Sequence, residues 1–207
     1  MKDYQALYHQ ERIRFLQSQI NSHFLYTTLE SLRGMYAAGK DQAFRAAITQ
    51  LATLYRYCAQ PELTVPLEEE VRVAQAYHQL MCSIIPNEIS LEWRIPRELT
   101  SWPVPRMLIQ PLLENALIHG FLQSRIAEGT ISIRAEAEGE NLSLTVEDDG
   151  AGIPAEKILE LNAAVGSPRS QIGFGNLKER IHLMYPETGS IEICSDGSRG
   201  ATIEVRL

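Results

Sequence analysis

The stretch Glu147-Asp148-Asp149-Gly150-Ala151-Gly152-Ile153-Pro154 decides how this chain is read. Its spacing is D-x-G-x-G, at Asp148, Gly150 and Gly152. A carboxylate at a strand end is followed by two glycines, which let the backbone turn sharply and approach another group closely. Two strands lead into it, Thr130–Glu136 and Asn141–Glu147, joined as a hairpin about Gly139. Upstream, Gln110-Pro111-Leu112-Leu113-Glu114-Asn115-Ala116-Leu117-Ile118-His119-Gly120 reads as an amphipathic helix.

Outward from this pair, helical and strand-like segments alternate. A helix is expected over Leu67–Met81, a strand over Glu88–Ile95, and an entry to the Gln110–Gly120 helix at Pro103–Pro105. Beyond Pro154 come a helix near Ala155–Asn162, a Gly/Ser/Pro-rich stretch at Gly166–Ser170 and a helix over Phe174–Tyr185. The last expected strands are Ser190–Ser195 and Thr202–Leu207. This order implies an α+β sandwich with helices on one face of a mixed sheet.

The N-terminal part has a different texture. Gln5–Ala38 lacks proline and has a glycine only at Gly34. Ile13, Leu16, Ile20, Phe24, Leu32 and Met35 fall in one apolar arc at about 100° per residue. Gly39 suits a helix end and Asp41 a cap for a second helix over Gln42–Cys58. Such a short connection implies an antiparallel hairpin. A lone hairpin cannot bury both apolar faces, so a dimeric four-helix bundle is expected. Gln60–Pro66 breaks the helical pattern and marks a boundary between domains at 1–62 and 63–207.

Composition narrows the class. The 207 residues are 44% hydrophobic and 22% charged, which suits a chain that buries a core. The net charge of −7 argues against a nucleic-acid surface, which needs a basic face. The three cysteines are isolated, so neither a disulfide framework nor a zinc site is indicated. No apolar run is long enough for a membrane span and no signal peptide opens the chain; any membrane or sensor part is expected upstream.

The chemistry that fits the two central motifs is ATP binding. Asp148 can accept from the adenine amino group, and Gly150 and Gly152 let the backbone close on the ligand. Asn115 can offer Mg²⁺ a neutral carbonyl ligand, phosphate oxygens and water completing its shell. His119 lies one turn beyond Asn115, within reach of phosphates.

Gln110–Gly120 and Glu147–Pro154 resemble the N box and first glycine box of the GHKL ATPases, whose fold is the Bergerat-type α/β sandwich. The segment Gln17-Ser18-Gln19-Ile20-Asn21-Ser22-His23-Phe24-Leu25-Tyr26-Thr27-Thr28-Leu29 resembles the phosphoacceptor helix of the LytS/YesM-type sensor histidine kinases, Q-I-N-P-H-F-L-Y-N-T-L. Leu67-Glu68-Glu69-Glu70 and Tyr77 match that group in order, so the resemblance covers nearly the whole chain.

The resemblance implies ATP-dependent phosphorylation of His23, then transfer to an aspartate of a response-regulator receiver domain. It implies a homodimer through the N-terminal helices, in the cytoplasmic part of a bacterial membrane sensor. His23 lies about 60° round the helix from Ile20, at the margin of the apolar arc, where a docking ATP domain can reach it. With a reference pKa of about 6.5, an imidazole is mostly neutral and nucleophilic at pH 7. Phe24 stands where many histidine kinases carry an acid, so Glu114 is the candidate to orient the imidazole, and Thr27 to orient a water.

Gln171–Arg180 aligns with a second glycine box, G-I-G-L-x-N-V-x-x-R, which assigns Gly173, Gly175 and Asn176 to the nucleotide. Asn176 is expected to begin a helix whose N-terminus faces phosphate. Gly200-Ala201-Thr202 resembles the family's G-T-T and assigns Thr202 to the nucleotide. Glu156–Pro168 is the expected ATP lid. Departures fall at Ser22, Thr27, Ile84, Gln171, Phe174 and Ala201. Those at Thr27, Gln171 and Ala201 support a rival reading, a degenerate module that dimerises and docks a partner without turnover. A GHKL ATPase or protein-serine kinase is the other rival, and it would not need the His23 helix.

Overall fold

The computed structural model describes residues 22–85, 88–163 and 172–207. Residues 5–21 of the expected first helix, Gly166–Ser170 and Gln171 lie outside the described residues. Helix α1 spans Ser22–Ala37 and α2 spans Asp41–Cys58. Between them Gly39 takes φ +67°. The Lys40 N–H reaches the Met35 carbonyl (3.0 Å) and the Gly39 N–H that of Tyr36 (3.1 Å). These two bonds make a Schellman close, and glycine is the residue that adopts this φ without strain. Asp41 is not a cap: the Lys40 carbonyl already accepts from the Phe44 N–H (2.9 Å), so Asp41 is the first helical residue. There its charge favours the helix N-terminus.

The hairpin buries one side within the chain. Thr28, Leu32 and Met35 of α1 and Ala47, Leu54 and Tyr57 of α2 are buried. Helix α3, Leu67–Ile84, packs along α2 in the opposite direction. Gln50 bonds to Gln79 (2.7 Å) at one end of that seam, and Tyr57 bonds to Glu70 at the other. The hairpin's other side stays open, with Tyr26 74% and Tyr36 66% exposed, and Leu29 and Ile48 exposed as well.

The segment expected as a boundary is pinned. Strand β1, Thr64–Pro66, pairs antiparallel with β3, Pro103–Pro105. A proline cannot donate to a ladder, so a ribbon so rich in proline stays two-stranded.

The main sheet contains β2 (Glu88–Arg94), β4 (Glu128–Glu138), β5 (Asn141–Asp148), β6 (Ser190–Cys194) and β7 (Ala201–Arg206). Its order is β2-β4-β5-β7-β6, with β2 and β4 parallel and the other pairs antiparallel. Glu138 faces Asn141 across a two-residue turn, and Gly139 supplies its positive φ of +67°. Side chains point to the two faces in turn. Leu142, Leu144, Val146 and Asp148 of β5 line the inner face with Ile131, Ile133, Ile203 and Val205. Ser132, Arg134, Thr145, Glu147 and Glu204 belong to the outer face, which carries no helix layer among the described residues.

On the inner face lie α4 (Ile109–Asn115), α5 (Ala155–Ala163) and α6 (Ile172–Met184). Leu112, Leu113, Leu177 and Ile181 fill the layer between helices and sheet. The chain is thus a helical hairpin docked on an α+β sandwich.

Candidate functional site

The site is built where β5 ends. Asp148 closes the inner-facing row of β5 and is 9% exposed. Its Oδ1 accepts the Gly150 N–H (3.0 Å), and its carboxylate also takes the Ala201 amide. Burial pushes its carboxyl up to about 6, against the pull of those two amides; Asp149 and Glu147 add a smaller upward push. Asp149 points the other way. Its Oδ1 accepts the Thr130 N–H (2.7 Å) and ties the turn to β4.

Three glycines let three backbones meet at Asp148. A Cβ on Gly120 would stand 2.9 Å from Asp148 Oδ1, and one on Gly150 would stand 2.6 Å from the Gly120 carbonyl oxygen. Gly200, at φ +68°, has no room for a Cβ beside the Asp148 carbonyl. The contacts are hydrogen-bonded: Ala151 N–H to the Gly120 carbonyl (3.0 Å), and Gly200 N–H to the Gly150 carbonyl (2.7 Å).

The helix expected over Gln110–Gly120 is not one α-helix. It is α-helical to Asn115 and then π-helical over Ala116–Leu122. The Gln123 N–H reaches back five residues to the Ile118 carbonyl (2.9 Å). The wider turn accompanies the capture of the Gly120 carbonyl by Ala151. Such π turns recur at functional sites.

These elements enclose a cleft of about 220 Å³. The structure brings Asn115, His119, Asp148 and Gly152 together along its lining. Gln123 and Lys157 line it too, and Ile153, Phe174, Ile193 and Ile203 supply apolar walls. His119 Nδ1 lies 2.8 Å from Gln123 Oε1. The arrangement offers a flat apolar slot with a buried carboxylate, opening toward amide, imidazole and ammonium groups.

Other expected residues sit elsewhere. Ala201 and Ile203 face the cleft, and Thr202 between them belongs to the other face of β7. Asn176 does not begin its helix. Helix α6 starts at Ile172, so Gly173 is in its first turn, while Gly175 and Asn176 lie further along, half-buried and outside the cleft lining. Glu114 is half-buried beside Asn115 and raises the phenol pKa of buried Tyr77, after the larger effect of burial. His23 is placed by its backbone in the first turn of α1; its imidazole lies outside the described atoms. The adjoining Phe24 ring packs 5.5 Å from the Tyr77 ring. The His23-bearing turn is therefore seated on the helix that also meets Glu114. Thr27 is exposed on α1, one turn beyond His23.

Sequence reasoning missed Gly120, Gln123 and Lys157. Gly120 was detectable as the glycine ending the amphipathic helix, but nothing local tells that its carbonyl is taken by Ala151.

The comparisons with known proteins agree with this geometry. Residues 11–88 match the family model described as histidine kinase. Residues 104–207 match that of the histidine kinase-, DNA gyrase B-, and HSP90-like ATPases. This chain belongs to the histidine kinase family. It is similar to the sensor histidine kinase YesM of Bacillus subtilis, 28% identical over 98% of this chain and 34% of the relative. It is 30% identical to the sensor histidine kinase BtsS of Escherichia coli over 98% of this chain and 34% of that one. It is also 30% identical to the sensor protein LytS of Bacillus anthracis, over 92% of this chain and 33% of that one. The chain thus spans about a third of the length of these relatives. A solved histidine kinase domain from the Erythrobacter litoralis EL346 blue-light activated kinase shares the fold, with a TM-score of 0.54 at 19% identity. That likeness covers 97% of this histidine kinase chain and 95% of the solved one. Among the described residues no helix is long and apolar enough to cross a membrane.

Proposed function

We propose that this histidine kinase chain binds Mg²⁺–ATP in the cleft, phosphorylates His23 and passes the phosphoryl group to an aspartate of a response-regulator receiver domain. The observation that carries the reading is the pairing of a buried carboxylate, Asp148, with Asn115 and His119 along one apolar slot. In this reading Asp148 accepts from the adenine amino group, and Ile153, Phe174 and Ile203, which line the same cleft, pack on the ring. Asn115 offers Mg²⁺ a neutral carbonyl oxygen, while the Gln123 amide oxygen lies against His119. Among the described residues no group of three or more His, Cys, Asp or Glu could hold a metal. When bound, the ion would neutralise phosphate charge; orientation is left to the chain.

In the transfer, a ring nitrogen of neutral His23 forms a bond to the γ-phosphorus. The bond to the β–γ bridging oxygen breaks, and ADP leaves with that electron pair. The imidazolium then loses its remaining ring proton to water or a nearby carboxylate, for which Glu114 is the candidate. Such transfer relies on positioning and charge neutralisation more than on covalent help. A homodimer through the hairpin, anchored by an upstream membrane segment in the full-length protein, completes the reading.

One observation favours a second reading, a partner-docking module without turnover. Ala201 and not a hydroxyl residue lines the cleft beside Asp148. The experiment is incubation with Mg²⁺ and γ-labelled ATP, beside His23→Ala and Asp148→Asn. Acid-labile, base-stable label on the wild type alone is the expected result. ADP binding without any label on the wild type would favour the docking module.

A further inference from the structure

The most deeply buried polar network lies outside the cleft, where the hairpin ends. Glu70 on the first turn of α3 is 1% exposed. Its Oε2 accepts the N–H groups of Leu108 and Ile109, both at 2.8 Å. Its Oε1 is shared: it accepts the Met107 N–H (2.7 Å) and the Tyr57 hydroxyl. Those three amides are donors that the start of α4 leaves without helical partners, so one remote carboxylate caps the helix that carries Asn115. Tyr57 belongs to the last turn of α2, in the hairpin. The Glu70 carboxylate therefore links the hairpin's end to the first turn of α4 through hydrogen bonds on both sides.

Other contacts converge on the same turn. Met107 holds φ +57°, a left-handed conformation that a non-glycine residue keeps only when its surroundings impose it. Arg180 of α6, 3% exposed, donates to the carbonyls of Arg106 (2.6 Å) and Met107 (2.9 Å). The Arg106 guanidinium lies 4.8 Å over the Tyr57 ring and bonds to Gln60 Oε1 (2.7 Å) and Glu62 Oε2 (3.1 Å). Cys58 Sγ approaches Met107 Sδ at 3.9 Å. The end of α2, the pinned segment after it, the start of α4 and the helix that follows the expected lid thus share one buried knot.

We propose that Tyr57 and Glu70 are positioning residues for the nucleotide cleft: the hairpin's last turn fixes the Glu70 carboxylate, which fixes the helix carrying Asn115, so nucleotide binding and seating of the hairpin end favour each other. The proposal rests on the nucleotide-binding reading above. Reciprocity is a thermodynamic requirement. If the hairpin's end sets the cleft, then a ligand in the cleft must tighten the hairpin's end.

Hydrogen exchange of the whole chain, with Mg²⁺–ADP as probe, tests this. In the wild type, ADP should slow exchange around Gly150 and Ala151 and also at Arg56–Ala59. Tyr57→Phe keeps the ring under Arg106 and removes only the hydroxyl. In that variant ADP should still protect the Gly150–Ala151 turn, with affinity weakened about three- to ten-fold, as for one lost hydrogen bond. The response at Arg56–Ala59 should vanish. A purely structural role would lower stability without uncoupling the two regions. Should Tyr57→Phe not fold, Glu70→Gln answers the question. It sets an NH₂ group against the Met107 N–H, and the same loss at Arg56–Ala59 is expected. The proposal is overturned if Arg56–Ala59 ignores ADP in the wild type, or responds equally in the variant. Absence of ADP protection at Gly150–Ala151 in the wild type would instead sink the nucleotide-binding reading, and this inference with it.

Discussion

Asp148 is held in a place that suits its proposed ligand and does not suit its own charge. Its carboxyl is raised to about 6 by burial, from an ordinary value near 4. An acid raised in the folded state costs nothing below its unfolded pKa, where it is neutral in both states. The cost appears as pH climbs from about 4 to about 6, and is full above that, at about 2–3 kcal/mol. Asp148→Asn keeps an oxygen for the Gly150 amide and carries no charge. Urea unfolding should therefore find the variant more stable than the wild type at pH 7.5, with the gap closing toward pH 4. ADP binding should fall at least ten-fold in the same variant. Equal unfolding midpoints at pH 7.5 would show that the amides of Gly150 and Ala201 already offset the burial. Gly150 gives the opposite case. Gly150→Ala drives a Cβ to within 2.6 Å of the Gly120 carbonyl, backbone against backbone. Calorimetry should show a loss of about 1–3 kcal/mol, because neither strand nor helix can yield without the other.

Elements differ in how far their causes lie within their own residues. Strands β4, β5, β6 and β7 were legible because alternation is local: Ile131-Ser132-Ile133-Arg134-Ala135 carries its own face assignment. The ribbon of β1 and β3 was not, since three residues ending in proline show no period. The π turn at Ala116–Leu122 was illegible for a different reason. It coincides with the Ala151 amide bonding to the Gly120 carbonyl, a partner far along the chain. Glu70 stood out in the sequence only as part of the Leu67–Glu70 match, because its partners, the amides of Met107, Leu108 and Ile109, lie far along the chain. Helix α5 carries a similar distant tie. Lys178 Nζ donates to the carbonyls of Asn162 (2.5 Å) and Leu161 (3.4 Å), the open C-terminal end of α5. Burial lowers the Lys178 pKa, yet the carbonyls hold the ammonium in place. Lys178→Met should cost about 1 kcal/mol and raise amide exchange in the last turn of α5. Unchanged exchange there would mean that Leu161 packing alone holds the end.

At the scale of the whole molecule, the hairpin has two sides with different fates. One side is covered by α3, with the Gln50–Gln79 and Tyr57–Glu70 contacts along the seam. The sequence reading expected a second copy because a lone hairpin cannot bury both faces, and α3 relieves half of that need. The open side keeps Tyr26, Leu29 and Tyr36 on α1 and Ile48 on α2 in solvent. Large apolar groups set close together on one side of a helical pair are characteristic of an interface. The occupant proposed here is a second hairpin, which closes four helices about this seam. Leu29→Asp with Ile48→Asp places charge in the middle of that seam and leaves the α3 side untouched. Sedimentation equilibrium should give a dimer for the wild type and a monomer for the double variant at micromolar concentration. Circular dichroism should be unchanged, because α3 still holds the hairpin. Loss of helix together with loss of the dimer would show that the second copy, and not α3, is what keeps the hairpin folded. A double variant that remains dimeric would remove this face from the interface altogether.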